Sequence, residues 1–108
     1  MRVYVAGPMT VGDQVENIRR GVAAANRLME LGHSPFVPHL TYFWQLMTPH
    51  TWEEWLRLDE DWLLVCDCLV RLSGESPGAD REVKFCYKHE IPVYFGMEDF
   101  EQMTRGIK

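Results

Sequence analysis

The chain has 108 residues, 46% of them hydrophobic and 25% charged, and eleven basic against sixteen acidic side chains leave a net charge of −5. That length fits one domain, residues 1–108, with a core large enough to fold without disulfide or metal staples. The composition excludes a disordered chain, and the acidic balance with no basic stripe excludes a nucleic-acid polymer as partner while leaving a small nucleotide open.

Val3-Tyr4-Val5-Ala6 is a β-rich run that stops at Gly7-Pro8, which predicts a buried strand ending in a tight turn. Asp13-x-x-Glu16 then predicts a capped helix start. Val15, Ile18, Val22, Ala25 and Met29 recur at helical spacing up to a stop at Gly32, and Arg19 and Arg20 fall on the expected exposed side. Ser34-Pro35-Phe36-Val37 predicts a second strand closed by Pro38. From Pro38 to His50, two prolines, two histidines and Tyr42-Phe43-Trp44 fit no single period, so a functional or partly helical loop is expected. Thr51 and Glu54 make a second capping box, for a helix from about Trp52 to Cys66. A third strand over Asp67 to Leu72, a polar turn over Ser73 to Gly78, a helix from about Ala79 to Glu90, a fourth strand over Ile91 to Phe95 and a short helix from about Glu98 to Arg105 complete the chain.

Alternating strands and helices predict an α/β fold, doubly wound in the Rossmann or flavodoxin manner. Its mostly parallel sheet would have four to five strands, with helices on both faces. Ligands in such folds bind beyond the carboxyl ends of the strands. The loops at Gly7–Gly12, Pro38–His50 and Ser73–Gly78 are therefore the candidate site, with Gly7, Met9, Thr10, His39, Ser76 and Gly78 as candidate substrate-binding positions. No segment approaches the ~18 apolar residues of a membrane span. Gly7-Pro8 interrupts the only early apolar run, so a cytoplasmic protein without signal peptide or membrane association is expected. Cys66, Cys68 and Cys86 are an odd set in apolar segments and read as buried thiols. His33, His39, His50 and His89 lack the spacing of metal ligands and read as surface or loop residues, so no metal is expected.

Two carboxylates break the pattern. Asp59 lies near the centre of the apolar face formed by Trp55, Leu56, Trp62, Leu63 and Cys66, where a charge is costly unless bonded or kept for function. Glu82 is expected in the first turn of its helix, after a glycine-containing turn whose free N–H groups, with the Ser76 hydroxyl, can hold an anion. The helix dipole would favour an ionised, nucleophilic Glu82. Such a pair suits nucleophile and general acid at an acetal-like carbon, and Tyr4 could hydrogen-bond the nucleophile. Structural readings stand beside these: Asp59 as a loop cap, Glu82 as a helix-end acid, Tyr4 as a core aromatic.

Tyr4-Val-Ala-Gly7, Asp59-Glu-Asp-Trp62, Asp67 and Ser76-Pro-Gly78-Ala-Asp-Arg-Glu82, in that order and spacing, resemble the nucleoside 2-deoxyribosyltransferase superfamily, and within it the 2'-deoxynucleoside 5'-phosphate N-hydrolases. The Ala-Gly-Pro-Met-Thr opening is also similar to small uncharacterised bacterial and phage relatives. The resemblance implies hydrolysis of the N-glycosidic bond of a (deoxy)nucleoside 5'-monophosphate. Glu82 would be the nucleophile, Asp59 would act at the sugar and leaving base, Tyr4 would sit beside Glu82, and Ser76 would hold the 5'-phosphate. No cofactor is implied, and a homodimer or larger homo-oligomer is. Thr10 stands where the phosphate-cleaving members carry an arginine, and Asp80-Arg81 adds charge before the nucleophile. Deoxyribosyl transfer, a non-catalytic nucleotide-binding or regulatory module, and an interaction protein using Tyr42-Phe43-Trp44 as a subunit interface remain as alternatives.

Overall fold

The computed structural model describes residues 1–105. Four strands, β1 (Arg2–Ala6), β2 (Ser34–Phe36), β3 (Cys68–Arg71) and β4 (Val93–Phe95), form one parallel sheet in the order β2-β1-β3-β4. Five helices connect and flank them: α1 (Gln14–Glu30), α2 (Thr41–Met47), α3 (Trp52–Leu63), α4 (Pro77–Lys88) and α5 (Met97–Met103). The doubly wound α/β expectation holds, with four strands. Among the described residues no helix is long and apolar enough to cross a membrane.

β1 is central and covered on both faces, which is why it reads as an unbroken apolar run rather than an alternation. Its side chains still alternate in direction. Val3 and Val5 pack with Ala24 and Leu28 of α1 and Phe100 of α5, while Tyr4 and Ala6 pack with Leu63 of α3 and Ala79, Val83 and Cys86 of α4. The chain order reverses between β1 and β3, so the crevice beyond their carboxyl ends lies among the three loops named from the sequence.

Local signals placed the helix starts well. The Asp13 carboxylate accepts from the Glu16 N–H at 3.1 Å, and Thr51 and Glu54 close a reciprocal capping box. α4 begins two residues earlier than expected, at Pro77, because Ser76 caps it and proline suits the first turn. Glu82 therefore belongs to the second turn, and Asp80 is the first-turn acid.

The expected stripe of α1 holds only in part: Ala25 is buried and Ile18 partly buried. Val15, Val22 and Met29 are exposed, and the buried residues are Asn17, Gly21, Ala24, Ala25 and Leu28. Small side chains face the protein because little room exists there: a Cβ on Gly21 would lie 2.8 Å from the His39 ring. The stretch after Pro38 is also ordered, as a 3-10 turn over Pro38–Leu40 followed by α2. His33 and His39 are buried rather than at the surface, Trp62 on α3 is half exposed, and Cys66 is only partly covered. Burial pushes the Cys68 and Cys86 thiols up to about 12, so both stay protonated and unreactive at neutral pH.

Candidate active site

A cavity of about 580 Å³ opens at the carboxyl end of the sheet. The β1–α1 loop supplies Gly7, Met9 and Thr10, the segment after β2 supplies His39, Tyr42 and Gln45, and α3 supplies Trp52, Trp55 and Asp59. Ser76, Gly78 and Glu82 of α4 complete it. Every candidate position named from the sequence lines this cavity except Tyr4, which lies beneath it.

At the floor, the Tyr4 hydroxyl donates to Glu82 Oε2. The Tyr4 ring is fixed by stacking on Phe36 at 5.5 Å, and Phe36 stacks in turn on Trp62 at 5.6 Å. Asp59 arrives from α3 on the same side, and its Oδ1 is buried without a hydrogen-bond partner. That oxygen is free to accept from a group in the cavity, a water or a bound ligand. Glu82 is 5% and Asp59 8% exposed.

Burial governs the protonation of all three. It raises Glu82 to about 8, against the Tyr4 hydrogen bond and with help from the Asp59 charge. It raises Asp59 to about 7, again opposed by Tyr4. Desolvation and the two carboxylates hold the Tyr4 phenol well above its ordinary value, so Tyr4 remains a donor. The helix dipole was expected to keep Glu82 ionised, but desolvation outweighs it in the second turn, where the dipole has already weakened. Between about pH 7 and 8 the two carboxyls hold one proton between them, giving one acid and one base at a single site.

The remaining residues divide into framework and lining. Ser76 Oγ accepts from the Ala79 N–H at 3.1 Å and reaches Gly7 O at 3.5 Å, so it ties the β3–α4 turn to the end of β1. A Cβ on Gly7 would come within 3.0 Å of Leu72 Cβ, which accounts for glycine at that approach. Asn17 Nδ2 donates to Met9 O and Val11 O at 3.3 and 2.7 Å and so shapes the loop carrying Met9 and Thr10. His39 is 1% exposed with neither ring nitrogen partnered, and burial lowers its pKa, leaving the imidazole neutral. The charged pair before Glu82 turns away from it: Asp80 pairs with Arg71 at 2.9 Å, and Arg81 with Glu53 and Glu60 at 2.9 and 3.3 Å. Gln14, Gln45, Trp52 and Trp55 also line the cavity and were not singled out from the sequence. Asn17 and Trp55 carried local signals only, an Asn on a buried helix face and an aromatic at helical spacing, and Gln45 carried none.

The fold is similar to a solved 2-deoxyribosyltransferase from the psychrotolerant bacterium Bacillus psychrosaccharolyticus, described as a biocatalyst for nucleoside synthesis. The TM-score is 0.60 at 20% identity, over 86% of this chain and 69% of that one. No curated protein matches the chain. The family model described as a domain of unknown function, DUF4406, matches residues 1–95, and the chain belongs to that family.

Proposed function

We propose that this DUF4406 protein hydrolyses the N-glycosidic bond of a (deoxy)nucleoside 5'-monophosphate through a glutamate nucleophile. The observation that carries the reading is the floor of the cavity: Glu82 held by the Tyr4 hydroxyl, with the unpartnered Oδ1 of Asp59 beside it. The resting pair holds its one proton mainly on Glu82, the carboxyl with the higher pKa, and the form that reacts carries it on Asp59 instead. In the first step a Glu82 carboxylate oxygen then bonds to the anomeric carbon as the C–N bond breaks. The electron pair leaves on the base nitrogen, which takes the Asp59 proton. In the second step Asp59, now a carboxylate, accepts a proton from water, whose oxygen displaces Glu82 and releases the sugar. The proton count returns to its starting value, and no cofactor enters. Tyr4 steadies the Glu82 carboxylate through both steps.

The substrate's phosphate would meet the backbone donors of the first turn of α4, next to Ser76 and Gly78. A second reading, the unphosphorylated nucleoside, is favoured by one observation: among the described residues no Lys or Arg lines the cavity. A homo-oligomer fits the same proposal, because α2 at the cavity wall exposes Phe43, Trp44, Leu46 and Met47.

The test is a mass-spectrometric screen for free base over deoxy- and ribonucleosides and their 5'-monophosphates, with Glu82→Ala as control. Base released only by the wild type is expected, and the best substrate decides between the phosphate readings. Base appearing only when a second base is added would make the protein a deoxyribosyltransferase. Ligand binding with no base released in either format would make it a non-catalytic nucleotide-binding module.

A further inference from the structure

Resting on that reading, we infer that Gln45 determines base specificity, and that it selects bases carrying a keto oxygen at the edge far from the glycosidic bond. Gln45 Oε1 accepts two hydrogen bonds, one from the Trp55 indole N–H and one from the His50 backbone N–H at 2.9 Å. Both partners can only donate, so the oxygen must face them and the carboxamide cannot flip. The amide nitrogen, with two N–H donors, then has no partner among the described residues, while Gln45 lines the cavity. The donors are also held in place. The Trp55 indole is packed edge-on by Trp44 at 5.0 Å and by His50 at 5.1 Å, so the atom that anchors Gln45 is itself fixed.

The place of this amide along the cavity follows from α3. Trp55 precedes Asp59 by four residues, one turn, which puts it about 6 Å along the helix on the same face. The cavity is lined by Trp52, Trp55, Leu56 and Asp59, and Leu63 in the other direction is buried in the core. A sugar whose anomeric carbon sits at Glu82 and Asp59 therefore extends its base toward Trp55 and the amide of Gln45. The group met there is the substituent at pyrimidine position 4 or purine position 6. A keto oxygen accepts from the amide, whereas an amino group sets donor against donor.

The experiment compares two matched pairs, deoxyuridine with deoxycytidine and deoxyinosine with deoxyadenosine, each as the nucleoside and as its 5'-monophosphate. Binding is measured by calorimetry in the Glu82→Gln protein, and base release in the wild type. The keto member of each pair is expected to bind about tenfold or more tightly, the size of one donor left unpaired. Gln45→Glu keeps an oxygen for Trp55 and His50 and presents a second oxygen to the base, so it should reverse the preference. Gln45→Met should abolish the preference while the keto nucleosides still bind. Equal binding within the pairs, or an unchanged preference in Gln45→Glu, overturns the inference whatever the turnover. A keto preference with no base release supports the inference and overturns the proposed hydrolase. No binding of any of these compounds, phosphorylated or not, overturns both.

Discussion

On one side of the cavity, Tyr4, Asp59 and Glu82 project from a strand and two helices packed on the sheet, and all three are buried. On the other side, α2 carries Thr41, Tyr42 and Gln45 and contributes no buried residue of its own. Its ties are the Gln45 bonds to Trp55 and His50, the edge contact of Trp44 on Trp55, and the Thr41 hydroxyl on Pro38 O at 2.7 Å. The first wall is held by hydrophobic burial, which fixes the reacting groups and raises their pKa values together. The second is held by a few polar and aromatic contacts, which suits recognition and leaves the segment near the low end of local stability.

The largest expected effect tests the first wall. Glu82→Gln should lower base release on the order of 10⁴-fold, as loss of a nucleophile does. It should leave the fold intact, because a buried amide needs no ionisation. The wild-type protein should lose stability as pH rises from about 4 to about 8. Both carboxyls have folded pKa values raised above their ordinary ones, so the folded state binds more protons in that window. The melting temperature of Glu82→Gln should depend less on pH over the same range. A wild-type melting temperature that rises from pH 5 to 8 would show the carboxyls to be less desolvated than the structure has them.

Native-state hydrogen exchange compares the two walls directly. Amides of α2 should exchange orders of magnitude faster than those of β1, and equal protection would remove the distinction. Tyr4→Phe should slow base release about 10–100-fold. It should also move the acidic limb of the pH–rate profile upward, since the Tyr4 hydroxyl holds the Glu82 pKa down. A purely structural Tyr4 would leave that limb in place. At the boundary between the walls, Gly21→Ala should cost about 1–3 kcal/mol in denaturant unfolding, because the added methyl meets the His39 ring. Smallest of all, Arg81→Ala should leave the rate unchanged, since Arg81 faces Glu53 and Glu60 rather than the cavity. A clear loss of rate would place its charge at the reacting centre.

Much of the framework was legible in residue order. The apolar run of β1, the Asp13 cap and the Thr51–Glu54 box are short-range features whose partners lie within a few residues. Asp59 also stood out, because an acid on an apolar helical face is anomalous wherever that face is buried. The face of α1 was misread because large apolar residues draw the eye, whereas the buried side carries Asn17, Gly21, Ala24, Ala25 and Leu28, and at Gly21 the His39 ring leaves no room for a side chain. Gln45 gave no signal, since its role depends on an indole ten residues later and a backbone amide five residues later.

The sequence by itself determined the alternation of four strands with their main helices, that the sheet is parallel, and which three loops gather at its carboxyl end. Those features follow from periodicity and capping, which act over single turns. Only the tertiary structure decided that Glu82 is held by Tyr4, that its carboxyl is pushed up to about 8, and that His39 is sealed against Gly21. Protonation and packing of this kind depend on how much water distant segments exclude together, and no local stretch of sequence carries that quantity.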